Sequence, residues 1–328
     1  MTTDLRKGGA MVALSPARRA LLRQILIWAV ALGLLSYLAL TTDLDEVWQT
    51  IRSVRFELVL PVVIAGNVVI FLWDTRCLAA LFTRLNKPVA FRDLLPLKGA
   101  SYFLNIVNYN AAAAAMALFL RRKARIPFLE GASSLVLLNV VDLLALNILI
   151  SAGLALNPDA VGPVMRQSLL VINVALYALV AGSFVYWNGG FDFFVLGRLR
   201  AWSIFSAFRR ARLRDWGVLL AMRMVVVLLY TVLNYVLLDL FGVPVPFDVL
   251  LLYNPILTFI GTIPITVSGI GTTQVAMREL YGPFATVPRV DAFSTSVIFL
   301  YQLMRLAIGS LYVSRVRREL EEARREDG

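Results

Sequence analysis

Eight long runs of apolar residues dominate this chain, at about 21–40, 56–83, 94–119, 129–153, 163–187, 216–241, 249–272 and 292–313. Each is near or above the roughly 20 residues a helix needs to cross the hydrocarbon core of a bilayer. A chain of 328 residues with 59% hydrophobic and only 16% charged residues reads as an all-α polytopic membrane protein, since backbone at membrane depth must satisfy its own hydrogen bonds. The first run is one of many and lies well inside the chain, so it reads as a signal anchor rather than a cleaved leader. The absence of histidine excludes imidazole acid–base chemistry and imidazole metal ligands, and the lone Cys77 excludes an internal disulfide. No cofactor is expected. The formal charge of +11 marks loops held at the cytoplasmic face rather than a nucleic-acid surface.

The distribution of that charge tests the span count. If all eight runs cross, with the N-terminus inside, about 15 basic residues fall inside and 14 outside, which is no bias. If runs 94–119 and 249–272 instead enter and return on the same side, the clusters Arg121–Arg125 and Arg198–Arg214 move inside. Of the 32 Lys and Arg, about 24 are then inside, 5 outside and 3 (Arg76, Arg223, Arg305) within spans. The expected fold is therefore six full spans plus two re-entrant helical hairpins, with both termini cytoplasmic; eight full spans is the alternative. Both short runs contain a polar break. The first is Asn105-Ile-Val-Asn108-Tyr109-Asn110, and the second runs from Gly261 through Thr262, Pro264, Thr266, Ser268 and Gly269 to Gly271. Broken backbone at membrane depth is tolerated where it is buried in protein or lines a wet cavity.

An offset of 156 residues lays the chain on itself. Over 69–95 against 225–251, nine positions match, and the Pro-Val-x-Phe of 88–91 and 244–247 is the most telling. The same offset lays one break on the other. With an odd number of crossings between them the two repeats are inverted, an arrangement in which transporters place a substrate site at the midplane. The expected organisation is a single transmembrane domain. Its parts are a tail and anchor over 1–55, a first repeat over 56–153, a linking span and basic segment over 163–215, a second repeat over 216–313 and a cytoplasmic tail over 314–328.

The second break, Pro264-Ile-Thr-Val-Ser-Gly269-Ile-Gly271 followed by Gln274 and Glu279, resembles the Pro…Gly-Gly-Leu-Gly…Glu motif of the lysylphosphatidylglycerol synthase transmembrane region family. That family includes the flippase-like domain of the multiple peptide resistance factor. The first break, then Arg121-Arg-Lys-Ala-Arg-Ile-Pro127, then Asn139-Val-Val-Asp142-Leu-Leu, resembles the family's first-half pattern. The likeness covers about 20–315 and implies a domain that moves a lipid, or a lipid-linked headgroup, between leaflets. There are departures. Gln274 stands where the family usually has Glu, Asn108-Tyr-Asn110 and the alanines to Ala115 stand where it has Pro, Gly, Glu and Arg, and Asn139 stands where an Arg is common. An uncharged cavity fits a sugar-bearing, neutral or zwitterionic headgroup at least as well as an anionic one. Only about 14 residues follow the last run, so the soluble aminoacyl-transferase domain of the family's longer members is not expected.

Ionisable groups at membrane depth are costly and face a partner or a cavity. Asp142 and Arg305, near the middles of their spans, are expected to face the cavity and pair, either as a static bolt or in exchange with a headgroup. Asp74 is a cavity candidate; Arg76, two residues on, faces elsewhere and snorkels. Arg223 is expected to snorkel toward the cytoplasm, with phosphate binding as its other reading. The substrate-binding candidates are Asp74, Asn105, Asn108, Tyr109, Asn110, Asp142, Arg223, Thr262, Pro264, Thr266, Ser268, Gly269, Gly271, Gln274 and Arg305. Helix N-termini beyond each break would present N–H groups to phosphate oxygens, and the two glycines allow close approach or positive φ. Segment 191–216 interleaves Arg with aromatics, as on an interfacial helix at an anionic lipid surface. Membrane lipids are the expected partners and nucleic acid is not, with a bacterial inner (plasma) membrane as the setting.

Two other functions compete. Asp43-Leu-Asp45-Glu46 resembles the metal-binding Asp-x-Asp of membrane glycosyltransferases that use lipid-linked sugars, although helix capping is the simpler account and large outer loops are missing. A regulatory or scaffold subunit is the third.

Overall fold

The computed structural model describes residues 43–107, 109–189, 202–262 and 271–326, with residues 33, 36, 40 and 41 before them. Among the described residues there are eleven α-helices and no strand. In chain order they are α1 (Leu44–Ser53), α2 (Phe56–Leu85), α3 (Phe91–Val107), α4 (Tyr109–Lys123), α5 (Phe128–Leu156), α6 (Pro163–Asn188), α7 (Ser206–Arg210), α8 (Leu213–Leu240), α9 (Phe247–Thr262), α10 (Thr272–Tyr281) and α11 (Val287–Glu326). Five are long and apolar enough to cross a membrane: Phe56–Leu85, Phe128–Leu156, Pro163–Trp187, Leu213–Leu240 and Val287–Tyr312. They coincide with five of the six full spans expected, and the protein is an integral membrane protein of helical, polytopic architecture. The remaining expected span, 21–40, lies almost wholly outside the described residues.

The two runs that contain polar breaks are each two shorter helices. α3 and α4 have 17 and 15 residues, α9 and α10 have 16 and 10. At 1.5 Å per residue none exceeds about 26 Å. In each pair, residues before the first helix lie close to residues after the second. The Lys87 ammonium, just before α3, donates to the carbonyl of Arg125, just after α4, at 3.0 Å. Asn86 accepts a hydrogen bond from Ser134 of α5 at 2.6 Å. In the other pair Arg289, after α10, donates to the carbonyl of Gly242, before α9, at 3.4 Å. Gly242 has φ +69°, the left-handed turn that closes α8.

α2 and α8 run antiparallel along their whole length. Phe56 meets Phe241 edge-on, Gly66 meets Leu233, the Trp73 indole donates to the carbonyl of Met222 at 3.0 Å, and Arg84 pairs with Asp215 at 2.9 Å. As the α2 number climbs, its α8 partner's number falls. Offset 156 carries α2 onto α8, α3 onto α9, α4 onto the stretch containing α10, and α5 onto the first part of α11, with starts and ends within a few residues for the long helices. The packing is exchanged in the same sense. Gly153 of α5 lies against Leu252 of α9, and Gly309 of α11, 156 residues on, lies against Phe103 of α3. At both crossings a Cβ would come within 2.8 Å of the neighbouring helix, so the small residue sets the helix spacing.

One end of the bundle is basic. It gathers Arg84, Lys87, Arg121, Arg125, Arg209 and Arg210 around the start of α5. Arg210 pairs with Glu130 at 2.6 Å and donates to the carbonyl of Leu85 at 3.2 Å. Segment 202–216 is less interfacial than its composition implies. Phe208 and Trp216 are buried, and Phe205 and Phe208 pack on Trp187 of α6. The aromatics are spent on fastening the segment to the bundle, leaving Trp202 and Leu213 exposed. Residues 191–201, the first part of the basic aromatic segment 191–216, lie outside the described residues. α6 is peripheral. It presents Val171, Val174 and Leu179 outward and is tied to α5 by Asn147, which donates to the carbonyl of Asn173, and by Asn173, which donates to Ser151. Polar side chains joining helices in this way are common where the surroundings are apolar.

Candidate functional site

Asp142 stands at the midpoint of α5, 14 residues from either end. Arg223 stands ten residues into α8, about 15 Å from its start by helix rise. Asp74 lies toward the basic half of α2, and Lys98 two turns into α3. The antiparallel crossing of α2 and α8 brings these four together. Arg223 donates through Nη1 to Asp74 Oδ1 and through Nε to Asp142 Oδ1. Lys98 Nζ meets the other oxygen of Asp74 at 2.6 Å. The side chains of Asp74, Arg223 and Lys98 are 12%, 13% and 16% exposed, and that of Asp142 is 29% exposed. Both oxygens of Asp74 are engaged, whereas Asp142 meets Arg223 through Oδ1 and is the most exposed of the four.

Two expectations are corrected here. Arg223 does not snorkel: its guanidinium forks between two carboxylates on two other helices, a geometry suited to its planar array of donors. Asp142 pairs with Arg223 and not with Arg305. The expectation for Asp74 and Arg76 holds in geometry, with Asp74 buried and Arg76 exposed. Lys98 was missed, because in the sequence it sits close to the start of its apolar run and reads as a loop charge. Its position two turns inside α3, with Tyr102 one turn beyond, was the available signal.

Lys98 lies 5.5 Å from the centre of the Tyr102 ring, a cation–π contact. Phe103, next to Tyr102, packs on Gly309 of α11, one turn from Arg305. Lys98, Tyr102 and Asn105 are spaced at i, i+4 and i+7 on α3, so one helix face leads from the ion network toward the break. Arg305 is half-buried and has no ion pair among the described residues. Gln302, on its face of α11, has a buried Oε1 with no hydrogen-bond partner among the described residues.

In the second half, the position 156 residues beyond Lys98 is Asn254, and the one beyond Thr75 is Thr231. Asn254 donates to Thr231 at 2.9 Å and accepts from Asn234 at 2.6 Å, and Tyr301 donates to Asn234 at 2.8 Å. A neutral, fully engaged hydrogen-bond network therefore stands where the first half carries charges.

The break residues are less fully placed. Asn105, Tyr109 and Asn110 belong to α3 and α4, but only their backbone is described, and Asn108, Pro264, Thr266, Ser268 and Gly269 lie outside the described residues. Thr262 is exposed at the last turn of α9 and donates to the carbonyl of Phe259 at 2.7 Å. Gly271 has φ +90°, the left-handed conformation that favours glycine, and opens α10. Gln274 accepts from the Gly271 N–H at 3.2 Å and donates to Thr295 of α11 at 3.2 Å. Its amide thus holds the helix start against α11 and is not a free ligand group. Asp43 accepts from the N–H groups of Asp45 and Glu46 at 3.0 and 3.1 Å, so it is the N-cap of α1. No group of three or more Cys, Asp and Glu able to hold a metal occurs among the described residues.

Comparison with known proteins agrees with the architecture. The family model described as the lysylphosphatidylglycerol synthase TM region matches residues 24–311. No curated protein matches the chain. The match spans the long helices, both split runs and every charged residue of the network, and the chain belongs to the lysylphosphatidylglycerol synthase transmembrane region family.

Proposed function

We propose that the protein is a lipid translocator, moving a phospholipid or lipid-linked headgroup between leaflets through a polar site near the midplane while the tails remain in the bilayer. The observation that carries this reading is the ion network of Asp74, Lys98, Arg223 and Asp142, sequestered where α2, α3, α5 and α8 meet. Charge at that depth is expensive, and a purely structural bolt is made more economically by apolar packing.

The two halves are inverted repeats in this reading. Support comes from the antiparallel α2 and α8, from the equivalent Gly153 and Gly309 crossings, and from the closeness of the residues that flank each split run. The split runs are re-entrant hairpins that enter from opposite faces. The basic end faces the cytoplasm of a bacterial inner membrane, with both termini on that side. Arg212 and Arg214 flank the exposed Leu213 there and contact anionic headgroups. No covalent chemistry is assigned, because the family match covers the membrane region and the site carries no nucleophile paired with a base.

Reconstitution into vesicles with headgroup-labelled lipids tests the reading. Faster leaflet exchange with protein than without, for a subset of lipids, is the expected result. Equal exchange with and without protein across a broad lipid panel refutes it.

A further inference from the structure

The end of the bundle opposite the basic cluster carries a small cavity that the translocation reading does not use. It lies where α8 gives way to the loop before α9. Its volume is about 160 Å³, and it is lined by Tyr235, Asp239, Val243, Pro244, Val245 and Pro246. Asp239 stands 16 residues beyond Arg223 on α8, about 24 Å by helix rise, so the cavity is separate from the ion network. The Asp239 side chain is exposed and has no ion pair or hydrogen bond among the described residues. The walls around it accept hydrogen bonds and offer almost none. Pro244 and Pro246 have no N–H. The Val243 N–H is spent on the carbonyl of Leu238 at 2.9 Å, and the Val245 N–H on the carbonyl of Val243 at 2.9 Å. The N–H groups of Tyr235 and Asp239 lie within α8, which leaves the Tyr235 hydroxyl as the remaining donor. Such a wall around an uncompensated carboxylate repels a phosphate and suits a cation that brings its own N–H donors. A calcium ion takes about six to eight oxygens, and no second carboxylate lines the cavity.

The adjoining flank of α8 indicates what carries the cation. Val232, Tyr235, Val236 and Asp239 stand at i, i+3, i+4 and i+7, one face of the helix. Val232, Tyr235 and Val236 are exposed. Asp239 is one residue from the end of the span Leu213–Leu240, at headgroup level, and the apolar stripe leads from it along the acyl chains. Beyond the cavity, Arg289 is exposed, donates to the carbonyl of Gly242 at 3.4 Å and makes no ion pair with Asp239. A carboxylate and a guanidinium on two sides of one loop, above an apolar stripe, complement a zwitterionic headgroup. We propose that this cavity is a lipid site outside the translocation path, taking the primary ammonium of a zwitterionic aminolipid, with Asp239 as its counter-charge and Arg289 beside its phosphate. The internal repeat sharpens the assignment. The positions 156 residues before Tyr235, Asp239, Val243 and Pro246 hold Ala79, Thr83, Lys87 and Ala90. The equivalent loop at the basic end therefore carries a cation and no carboxylate, so the two loops of the repeat present opposite charge to the two leaflets. The site does not depend on the translocator reading; only its placement in the outer leaflet rests on the topology proposed there.

The test is native mass spectrometry of the full chain in detergent, titrated with phosphatidylethanolamine, phosphatidylcholine or phosphatidylglycerol of identical tails. The readout is the loss of lipid-bound protein that each substitution causes. Asp239→Asn should weaken phosphatidylethanolamine retention by about ten- to a hundredfold in apparent affinity, the loss expected for a charge-assisted hydrogen bond. It should leave phosphatidylcholine, whose cation has no N–H, and phosphatidylglycerol, which has no cation, unchanged. Asp239→Glu should keep most of the phosphatidylethanolamine retention, and Arg289→Gln should lose part of it. Asp248→Asn, at an exposed acid of the same end that does not line the cavity, should behave like wild type. Asp239→Asn should unfold at the wild-type midpoint, since an exposed, unpaired carboxylate is removed; that result shows that the variant folds. No loss with any lipid overturns the site, and so does an equal loss for Asp248→Asn, which would mean diffuse surface charge. An equal loss with phosphatidylcholine overturns the primary-ammonium assignment. Soluble ethanolamine and sodium chloride form a separate arm. Ethanolamine bound as tightly as the lipid overturns the lipid as occupant, and displacement of the lipid by sodium as readily as by ethanolamine overturns the ammonium. Asp239-dependent retention in a protein that gives no leaflet exchange leaves the site in place and refutes only the transport reading.

Discussion

Arg223 is the residue whose removal tests the network most directly. Replacement by Gln deletes contacts to two carboxylates on two helices. The consequences for the two are unequal. Asp74 keeps Lys98 at 2.6 Å on its second oxygen, whereas Asp142 is left with no cation in contact among the described residues. Breaking a buried pair by removing one partner costs about 3–5 kcal/mol. The 29% exposure of the Asp142 side chain lets water or a headgroup reach it and moves the figure to the lower end, about 3 kcal/mol, or roughly a 150-fold drop in the folded-to-unfolded ratio. The assay is equilibrium unfolding in mixed micelles, followed by circular dichroism as denaturing detergent is titrated. Arg223→Gln/Asp142→Asn should recover most of the loss, with a coupling of about 2 kcal/mol in the double-mutant cycle. Arg223→Gln/Asp74→Asn should recover little, because it strands the Lys98 ammonium in turn. A single-variant loss below about 1 kcal/mol, or equal rescue by the two second substitutions, refutes the pairing argument.

Other outcomes follow from the packing. Gly99→Ala places a Cβ 2.2 Å from the Tyr312 ring, and Gly153→Ala places one 2.8 Å from the Leu252 backbone. Each should cost about 1–3 kcal/mol in the same unfolding assay, whereas Gly182→Ala, in open space on the outward face of α6, should stabilise by about 0.5–1 kcal/mol. Asn254→Ala leaves the Asn234 amide without its acceptor and should cost about 1–3 kcal/mol; a neutral result would show that water fills the gap. In a Cys77→Ala background, single cysteines at positions 121 and 210 should react with an impermeant thiol reagent from one face only, and cysteines at 159 and 289 from the other. Labelling of 121 and 210 from the same face as 289, with 159 from the other, would restore eight crossings.

The sequence by itself determined where the helices lie and how the chain divides. Apolar run length is read residue by residue, so five of the expected spans reappear as α2, α5, α6, α8 and α11. The Asn-rich and Gly/Pro-rich breaks fall where α3 gives way to α4 and α9 to α10, because backbone interruption is a local property of those residue types. The 156-residue offset was legible for the same reason, and positive φ at Gly271 follows from glycine's own freedom. Which charged group meets which was not legible. A helix fixes the depth of each side chain through its rise, and depth alone made Asp142 and Arg305 look like partners and Arg223 like a snorkelling surface residue. Partnership depends on helix rotation and on which helices adjoin, and both are set by close crossings at Gly66, Gly99, Gly153 and Gly309 between segments more than 90 residues apart in the chain. Only that packing turned Arg223 inward and drew Lys98 into the network.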